Sequence, residues 1–564
     1  MLVGKRIVFF VLTINLVSCK IQDVQEKGLV TSKAMVVSAH PLASQIGADI
    51  LKRGGNAMDA AVAVQFALAV VYPDAGNIGG GGFLVFRKHD GTPDALDYRE
   101  KAPAAAHRNM YLDQNGEVIP NLSRKGHLAA GVPGTVDGMV QAHQKYGSLP
   151  WRDLVQPAIF LAENGFPLTK KEAVKLNEEQ KDFIKYNTRR PAFFLKKRWE
   201  EGDTVVLKDL AKTLGLIRDK GRAGFYEGST AELIEAEMNR GKGIITQADL
   251  ANYQSVWRKP ITGQVGNLKI ISMTPPSSGG IALIQLLTIA QKFPLKEWGW
   301  NSVKTAHVLV EAERRVYADR ARHLGDPDFY QVPVAGLLDT AYIRKRMTDF
   351  SLKKATDSDV VSPGTPAPQE NPHTTHYSII DAQGNAVSVT TTLNSNFGSK
   401  VFVGGGGFLL NNEMDDFSAK PGAPNSYGLV GEEANAIAPN KRMLSSMTPT
   451  ILEKDEKLFM VIGAMGGSTI ITTVFQIIMN VVVHDFPMQG AVNAGRFHHQ
   501  WKPDWILSEW GALGPFTGLG MWLKGHKIAP KTGGIGRAAG ILVLPDGRLE
   551  GGAEPRGDDA AAGF

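Results

Sequence analysis

The sequence predicts a mixed α/β (α+β) fold, because stretches with helical periodicity alternate with stretches rich in β-branched and aromatic residues. Residues 40–71 predict two Ala-rich helices on either side of Gly54-Gly55, and residues 81–88 and 94–100 predict a pair of strands. Residues 302–325 have the pattern of a long amphipathic helix. At 564 residues the chain is long enough for one large core or for two or more domains.

The composition is that of a globular protein, with 43% hydrophobic and 21% charged residues. The net charge of +6 is spread without a block of like charge, so it indicates neither a nucleic-acid partner nor a polybasic membrane patch. Cys19 is the one cysteine in the sequence, which excludes an intramolecular disulfide framework and a cysteine cluster for zinc or iron–sulfur binding.

The N-terminal segment predicts export. Two basic residues precede an apolar run, 7–17, that is too short and too polar for a membrane-spanning helix and suits the core of a signal peptide. The sequence from Leu16 to Cys19 resembles the lipobox of bacterial lipoproteins, in which the cysteine is lipidated and becomes the mature N-terminus. The alternative is an ordinary export signal with an incidental cysteine. The lipobox predicts a signal peptide over 1–18 and a periplasmic protein held by lipid to a bacterial membrane.

A Pro-rich segment, 361–373, contains four prolines in thirteen residues and predicts an exposed linker. This segment leads directly to Thr374. Residues 375–380 and 386–392 then predict two strands on either side of a five-residue turn, because both are rich in β-branched residues.

The predicted hairpin gives Thr374 a specific neighbour. If Ile380 lies opposite Ala386, the antiparallel register puts Thr374 opposite Thr392, with Cβ atoms about 4.5 to 5.5 Å apart. Asn394 then continues on the same face of the strand. A bulge at the Gly-Asn end of the turn would shift this register. Without a bulge, local pairing brings a second hydroxyl and an amide beside Thr374.

Gly466, Gly467 and Ser468 lie between an apolar strand and a predicted helix, with Ser468 as the predicted N-cap. Glycines at this position leave backbone N–H groups open to an anion, which can be a phosphate or the oxyanion of an acyl-transfer intermediate. The alternative interpretation is a tight turn that serves only to connect the strand to the helix.

Three other motifs have alternative interpretations. The glycine run in 76–83 lacks the Lys-Ser/Thr of a phosphate loop and leads into a strand, so it predicts close backbone packing beside a small ligand. His373 with His376, and His498 with His499, lack the spacing and the carboxylates of a metal site, so we expect no metal. The acidic stretch 413–416 predicts either a solvated turn or a docking site for an ammonium group.

Together the motifs closely resemble the γ-glutamyltranspeptidase family. Eleven strings occur in the family's order and cover nearly all of the chain after the signal peptide. They are GGNAMDAAVA, GNIGGGGFLVF, DYRE, GVPGTVDGM, PPSSGG, YADRARHLGDPDF, TTHYSIID with its following strand, LLNNEMDDFSAKPG, NKRMLSSMTPTI and GAMGGSTIITTV, with RFHHQW after them.

The resemblance implies an N-terminal nucleophile hydrolase with a four-layer αββα sandwich. In this family the precursor cuts itself before the first threonine of the TTHYS motif, here between His373 and Thr374. It implies a tether over 19–34, a large subunit over 35–373 and a small catalytic subunit over 374–564, which form one intertwined heterodimer. A threonine hydroxyl needs a base, and a freed α-amino group with a pKa of about 7.7 to 8.0 is such a base on the same residue.

The resemblance also implies roles for individual residues. Thr374 matches the nucleophile that forms the γ-glutamyl ester, Thr392 matches the residue that holds its hydroxyl, and Gly466 and Gly467 match the oxyanion-hole glycines. The residues that match the grip on the substrate α-carboxylate are Arg99, Ser445 and Ser446, and those that match the grip on its α-amino group are Asn394, Glu413 and Asp416.

A lid is implied as well. Residues 421–432 match the lid loop of lidded members of the family, with Tyr427 as the aromatic residue that covers the substrate. The implied substrates are glutathione and related γ-glutamyl compounds, with water or an amino acid or peptide amine as acceptor, and no cofactor is implied.

Two other functions stay open at this stage. Cephalosporin and glutaryl acylases of the same superfamily share the nucleophile and the oxyanion glycines, but they bind a side chain that lacks the α-amino group. The ammonium-binding set Asn394, Glu413 and Asp416 argues against them. A non-catalytic ligand-binding lipoprotein is the second alternative, and the complete catalytic set argues against it.

Overall fold

The structure is a computed structural model that describes residues 24–187, 189, 191, 193, 196–366, 376–425 and 428–564. Within these residues, two seven-stranded antiparallel sheets carry the fold. One sheet has the order β1-β18-β17-β13-β12-β9-β8 and the other has the order β19-β2-β10-β11-β3-β4-β7, with the strand bounds as follows. The strands are β1 (Val30–Thr31), β2 (Met35–Ser38), β3 (Gly81–Arg87), β4 (Pro93–Tyr98), β5 (Phe166–Pro167), β6 (Thr204–Val205), β7 (Val256–Arg258), β8 (Ile261–Val265), β9 (Leu268–Ser272), β10 (Tyr377–Ile380), β11 (Ala386–Thr392), β12 (Thr450–Lys454), β13 (Lys457–Met465), β14 (Phe497–His498), β15 (Ile506–Ser508), β16 (Ile528–Pro530), β17 (Arg537–Val543), β18 (Leu549–Ala553) and β19 (Ala560–Gly563).

Helices cover the outer faces of both sheets. They are α1 (Pro41–Lys52), α2 (Ala57–Val71), α3 (Thr135–Tyr146), α4 (Trp151–Asn164), α5 (Lys170–Tyr186), α6 (Lys208–Lys220), α7 (Ala223–Tyr226), α8 (Gly228–Gly241), α9 (Gln247–Asn252), α10 (Gly279–Ala290), α11 (Leu295–Trp298), α12 (Val303–His323), α13 (Val334–Leu338), α14 (Thr340–Lys345), α15 (Ile470–Val482), α16 (Met488–Asn493) and α17 (Pro515–Leu523). Among the described residues, no helix combines the length and the hydropathy that a membrane crossing requires.

The four-layer αββα sandwich is confirmed by how the strand residues divide between cores. Along β2, Met35 and Val37 contribute to a central core between the two sheets, whereas Val36 contributes to the core under α1 and α2. Along β13, Val461 faces the central core and Ile462 faces the core under α10, α12 and α15. This alternation follows from the two-residue period of a strand, so each sheet buries both of its faces.

Several predicted elements are confirmed within one or two residues. The predicted pair of Ala-rich helices corresponds to α1 and α2, and the strand pair that follows corresponds to β3 and β4. Asn56 caps α2 in a capping box with Asp59, which fixes the start of this helix just after Gly54-Gly55.

The predicted long helix is confirmed as α12, but its polar side is buried and not exposed to solvent. α12 ends at His323, two residues before the predicted end, and every residue from Thr305 to Ala321 is buried. Charged side chains of α12 are paired inside the protein, and Arg315 contacts the Glu311 carboxylate at 2.7 Å. A helix that is packed on all sides needs such internal pairs, because buried charge without a partner is costly.

The predicted hairpin register is confirmed over the described residues. Ile380 lies opposite Ala386 and Tyr377 lies opposite Val389, with no bulge in this part of the ladder. The start of the Pro-rich segment has no helix or strand as predicted, but it is only partly exposed: Gly364 donates its N–H to Asp319 at 2.8 Å. Both large sheets combine strands from before and after this segment, so the two parts of the chain share one core.

Candidate active site

A cavity of about 820 Å³ opens beside the C-terminal end of β11 and the turn that follows β13. Six residues predicted for the site line it: Thr392, Asn394, Asp416, Ser446, Gly466 and Gly467. The other predicted residues that the structure describes, Arg99, Glu413 and Ser445, are fully buried behind this wall. His373, Thr374 and Tyr427 lie outside the described residues, as does Cys19, so their roles stay predictions.

Thr392 and Asn394 are held together at the end of β11. The Thr392 hydroxyl oxygen accepts the backbone N–H of Asn394 at 2.6 Å, and the Asn394 side chain donates to the carbonyl oxygen of Asn412 at 3.0 Å. On its other side Thr392 pairs with Gly81 in β3. The preceding residue, Gly80, is so close to the Thr392 carbonyl group that an added Cβ would lie 1.9 Å from its oxygen. The predicted close backbone packing of the glycine run is therefore confirmed.

The glycine turn connects β13 to α15 through one 3-10 turn, Gly467–Thr469. Gly466 has a φ of 137° and Gly467 a φ of 58°, which glycine adopts without steric cost. The Gly466 carbonyl oxygen accepts the N–H of Thr469 at 3.2 Å and its hydroxyl at 2.9 Å. The N-cap prediction is wrong, because α15 begins at Ile470 with Thr469 as its N-cap, and the extra turn displaces Ser468 from that position.

Arg99 lies at the centre of a buried charge cluster. Its guanidinium contacts the carboxylates of Glu413 at 2.9 Å, Asp416 at 2.8 Å and Glu100 at 3.3 Å. The residues predicted to bind a carboxylate and those predicted to bind an ammonium group are therefore in contact with each other. The interpretation of 413–416 as a solvated turn is wrong, since Glu413 and Asp415 are buried in a 3-10 turn.

The cluster has one guanidinium for three carboxyl groups, and burial raises the pKa of each carboxyl group. Burial raises the pKa of Glu413 to about 8 and that of Glu100 to about 7, although Arg99 lowers both. Burial and the neighbouring Glu413 raise the pKa of Asp416 well above its ordinary value. The cluster thus carries more acidic groups than one guanidinium compensates, and an added cation would stabilise their ionised forms.

Ser445 and Ser446 are fixed by contacts from two other parts of the chain. The Ser278 hydroxyl donates to the Ser445 carbonyl oxygen at 2.7 Å. Arg320, on α12, donates to the hydroxyl of Ser278 at 3.0 Å and to that of Ser446 at 3.3 Å. Burial lowers the pKa of Arg320 to about 10. Arg320 thereby helps to hold the serine pair in position.

The described residues of the predicted lid loop, 421–425 and 428–432, lie between two cavities. The N–H of Asn425 donates to the Leu429 carbonyl oxygen at 3.0 Å, and the Gly422 N–H donates to that of Gly431 at 2.9 Å. Leu429 lines the main cavity and a neighbouring cavity of about 170 Å³. The loop therefore lies near Asp416, which lines both cavities. Its role as a lid stays a prediction.

Sequence reasoning missed Glu100 and Arg320. Both lie inside quoted motifs, DYRE and YADRARH, so the signal was present. Among the described residues, the group His307, Glu311 and His526 could hold a metal ion. The Glu311 carboxylate is already bound, since it accepts the N–H and hydroxyl of Thr356 at 3.0 and 2.6 Å.

Comparisons with known proteins show what the whole chain is similar to. A family model described as Gamma-glutamyltranspeptidase matches residues 43–564. The chain is 47% identical to the glutathione hydrolase proenzyme of Escherichia coli K12, over 94% of this chain and 92% of that protein. It is similar to the crystal structure of a cephalosporin acylase from Bacillus halodurans, with a TM-score of 0.85 and 27% identity over 96% of this chain and 97% of that one. It also resembles the Helicobacter pylori gamma-glutamyltranspeptidase structure, with a TM-score of 0.57 and 48% identity over 60% of this chain and 96% of that one.

Proposed function

The chain belongs to the gamma-glutamyltranspeptidase family, and on this premise we propose that it is an autoprocessing enzyme that cleaves the γ-glutamyl amide bond of glutathione and related compounds. The acyl group passes through an ester on Thr374 to water or to the amine of an amino acid or peptide. One observation carries the proposal: the cavity beside Thr392 and the glycine turn reaches Asp416, which belongs to the buried cluster around Arg99.

Self-cleavage between His373 and Thr374 frees the α-amino group of Thr374, which then serves as the base. This group takes the hydroxyl proton while the hydroxyl oxygen attacks the γ-carbonyl carbon of the substrate. The N–H groups of the glycine turn, Gly466 and Gly467, stabilise the oxyanion that forms. The C–N bond then breaks, the leaving amine takes the proton, and the γ-glutamyl ester remains until water or a second amine attacks it. The product is a two-chain enzyme with a large and a small subunit.

The charge cluster supplies recognition of the substrate zwitterion. Arg99, together with Ser445 and Ser446, binds the α-carboxylate, and Asn394, Glu413 and Asp416 bind the α-ammonium group. Arg99 Nε has no hydrogen-bond partner among the described residues, so the guanidinium retains a donor for a carboxylate. The three acidic groups around it favour an added cation. When a substrate with both charges binds, its carboxylate and its ammonium group therefore take the place of contacts between Arg99 and the acidic side chains.

An acylase of the same superfamily is the second candidate, because the cephalosporin acylase from Bacillus halodurans shares the fold over 96% of this chain. Its identity of 27% is lower than the 47% to the Escherichia coli glutathione hydrolase proenzyme. The acidic ammonium-binding set favours the γ-glutamyl substrate, since a glutaryl group offers no ammonium.

The substrates distinguish the two functions. A glutaryl anilide keeps the carboxylate but lacks the α-amino group, so the buried carboxylates stay without a cationic partner when it binds. We expect kcat/KM for the γ-glutamyl anilide to exceed that for the glutaryl anilide by at least about a hundredfold. Equal rates on the two anilides would favour the acylase.

The enzyme is also proposed to be exported and anchored by a lipid on Cys19 at a bacterial membrane, with its catalytic part in the periplasm. The support is the lipobox at Leu16 to Cys19. We expect the parent to remain with membranes after a high-salt wash and the Cys19→Ser chain to be released into the soluble fraction. The distribution is measured by immunoblotting of both fractions. The same distribution for both chains would contradict the anchor.

A further inference from the structure

An exposed apolar helix face distinguishes one end of the molecule. On α17, Phe516 is 89% exposed, Leu519 54%, Trp522 65% and Leu523 71%. These four side chains lie within one arc of the helix, because they are spaced at three, four and seven residues. We call them the α17 face. Contiguous exposed apolar residues of this size mark a surface for an interaction.

The helix that carries the face is firmly seated in the fold. Its opposite side buries Met521, and Gly520 packs so closely on α12 that an added Cβ would lie 2.5 Å from Val303. Thr517 donates its hydroxyl to the Asn301 carbonyl oxygen at 3.1 Å, and the following His526 is buried against His307. The outward direction of the α17 face is therefore set by contacts on its other side.

The charged side chains of the segment that carries the face are all lysines. Residues 510–531 contain three lysines and no aspartate or glutamate. Lys527 is exposed, and Lys524 contacts the Leu352 carbonyl oxygen, which brings the exposed Lys353 and Lys354 to the same end of the helix. Apolar and aromatic side chains bordered by lysines are the composition of a helix that lies in the headgroup region of an anionic bilayer. Two copies of the face would instead bring like charges together.

The N-terminal end of the described chain is connected to the start of α17 through contacts with α16. Val24 contacts Gly490 in α16, and Gly495, just beyond α16, packs against Ala512. α16 has six residues, about 9 Å of helix, so Val24 is on the order of 15 Å from Ala512, which precedes α17. Cys19 is five residues before Val24, a reach of at most about 18 Å. A lipid on Cys19 would therefore hold the bilayer within reach of the α17 face.

We propose that the α17 face inserts into the headgroup region of the anionic membrane that carries the anchor, as a second and reversible membrane contact. Insertion removes the exposed apolar side chains of the α17 face from water and brings the lysines of 510–531 close to anionic headgroups, which is the physical reason for the contact. The inference rests in part on the proposed lipid anchor, but the face is an independent observation.

Binding to vesicles by the unlipidated chain tests the face apart from the anchor. The Cys19→Ser chain is mixed with vesicles of phosphatidylcholine alone or with phosphatidylglycerol, and co-sedimentation is measured against lipid concentration. We expect binding to the anionic vesicles that weakens with salt. The triple variant Phe516→Ser, Trp522→Ser, Leu523→Ser, built on that chain, should bind at least about tenfold more weakly, because three apolar side chains no longer leave water.

Two controls make the result specific. The pair Phe160→Ser and Ile184→Ser removes side chains that are 62% and 73% exposed on α4 and α5, in the other helical layer, and should bind like its parent. Hydrolysis of a γ-glutamyl anilide should be unchanged in the triple variant, which shows that it is folded.

Three results would overturn the proposal. The first is that the Cys19→Ser chain binds no vesicles, and the second is that the triple variant binds them as strongly as that chain does. The third is that the Cys19→Ser chain is a dimer in light scattering and the triple variant a monomer, while neither binds vesicles. The last result would assign the face to a second copy of the chain. Failure of the anchor alone would leave vesicle binding intact, so the two proposals fail separately.

Discussion

The Thr374→Ala chain is expected to migrate as a single band on a denaturing gel and to release no product from a γ-glutamyl anilide. The parent should give two bands, of which the smaller is the fragment 374–564 and begins with Thr-Thr-His-Tyr by N-terminal sequencing. The reason is that one hydroxyl serves both reactions: it attacks its own preceding peptide bond and later the substrate. Alanine offers no nucleophile, so both reactions are lost together.

Thr374→Ser is the matched control, because it keeps the hydroxyl and removes only a methyl group. We expect this variant to cleave itself and to retain activity, at lower rates than the parent. Cleavage of Thr374→Ala at the same bond would show that another group or a contaminating protease cuts the chain. An uncut parent that is fully active would contradict the requirement for a free α-amino group.

Arg99→Ala is expected to lower kcat/KM for a γ-glutamyl anilide by about two to four orders of magnitude. Removing one partner of a buried charge pair costs about 3 to 5 kcal/mol, and about 1.36 kcal/mol corresponds to a tenfold change. The 4-aminobutyryl anilide is the matched control substrate, because it keeps the amino group and lacks the carboxylate that Arg99 binds. The variant should therefore lose much less on the 4-aminobutyryl compound, while self-cleavage persists. Equal losses on both substrates would contradict the assignment.

The buried acidic groups around Arg99 determine how the stability of the Arg99→Ala chain changes with pH. The pKa values of Glu413 and Glu100 are raised to about 8 and about 7 in the folded chain, so their contribution is present at low pH and is lost as pH rises through those values. Without Arg99 these pKa values rise further, and the loss extends to higher pH. We expect the difference in Tm between parent and variant to grow from pH 6 to pH 9, so the kinetic comparison is made near pH 7. Arg99→Lys keeps a cation and should lose less of both stability and activity.

The local parts of this site were predictable from the sequence. The hairpin register over Tyr377–Ile380 depends on a short turn and on two neighbouring strands, so counting residues was sufficient. The motifs also identified the glycine turn and the acidic stretch 413–416. Their chemistry follows from residue type and spacing, which the chain itself carries.

The tertiary structure decided which charges are buried and which of them meet. Arg99 and Glu413 are more than three hundred residues apart, and only the packing of β4 beside the loop after β11 brings them to 2.9 Å. For the same reason the amphipathic pattern of α12 was misleading: a helix pattern shows which face is more polar, but not whether other elements cover that face. The sequence by itself determined the nucleophile motif and the local strand pairing. The surroundings of Arg320 and the exposure of α17 were decided by long-range packing, because burial depends on all the elements around a residue.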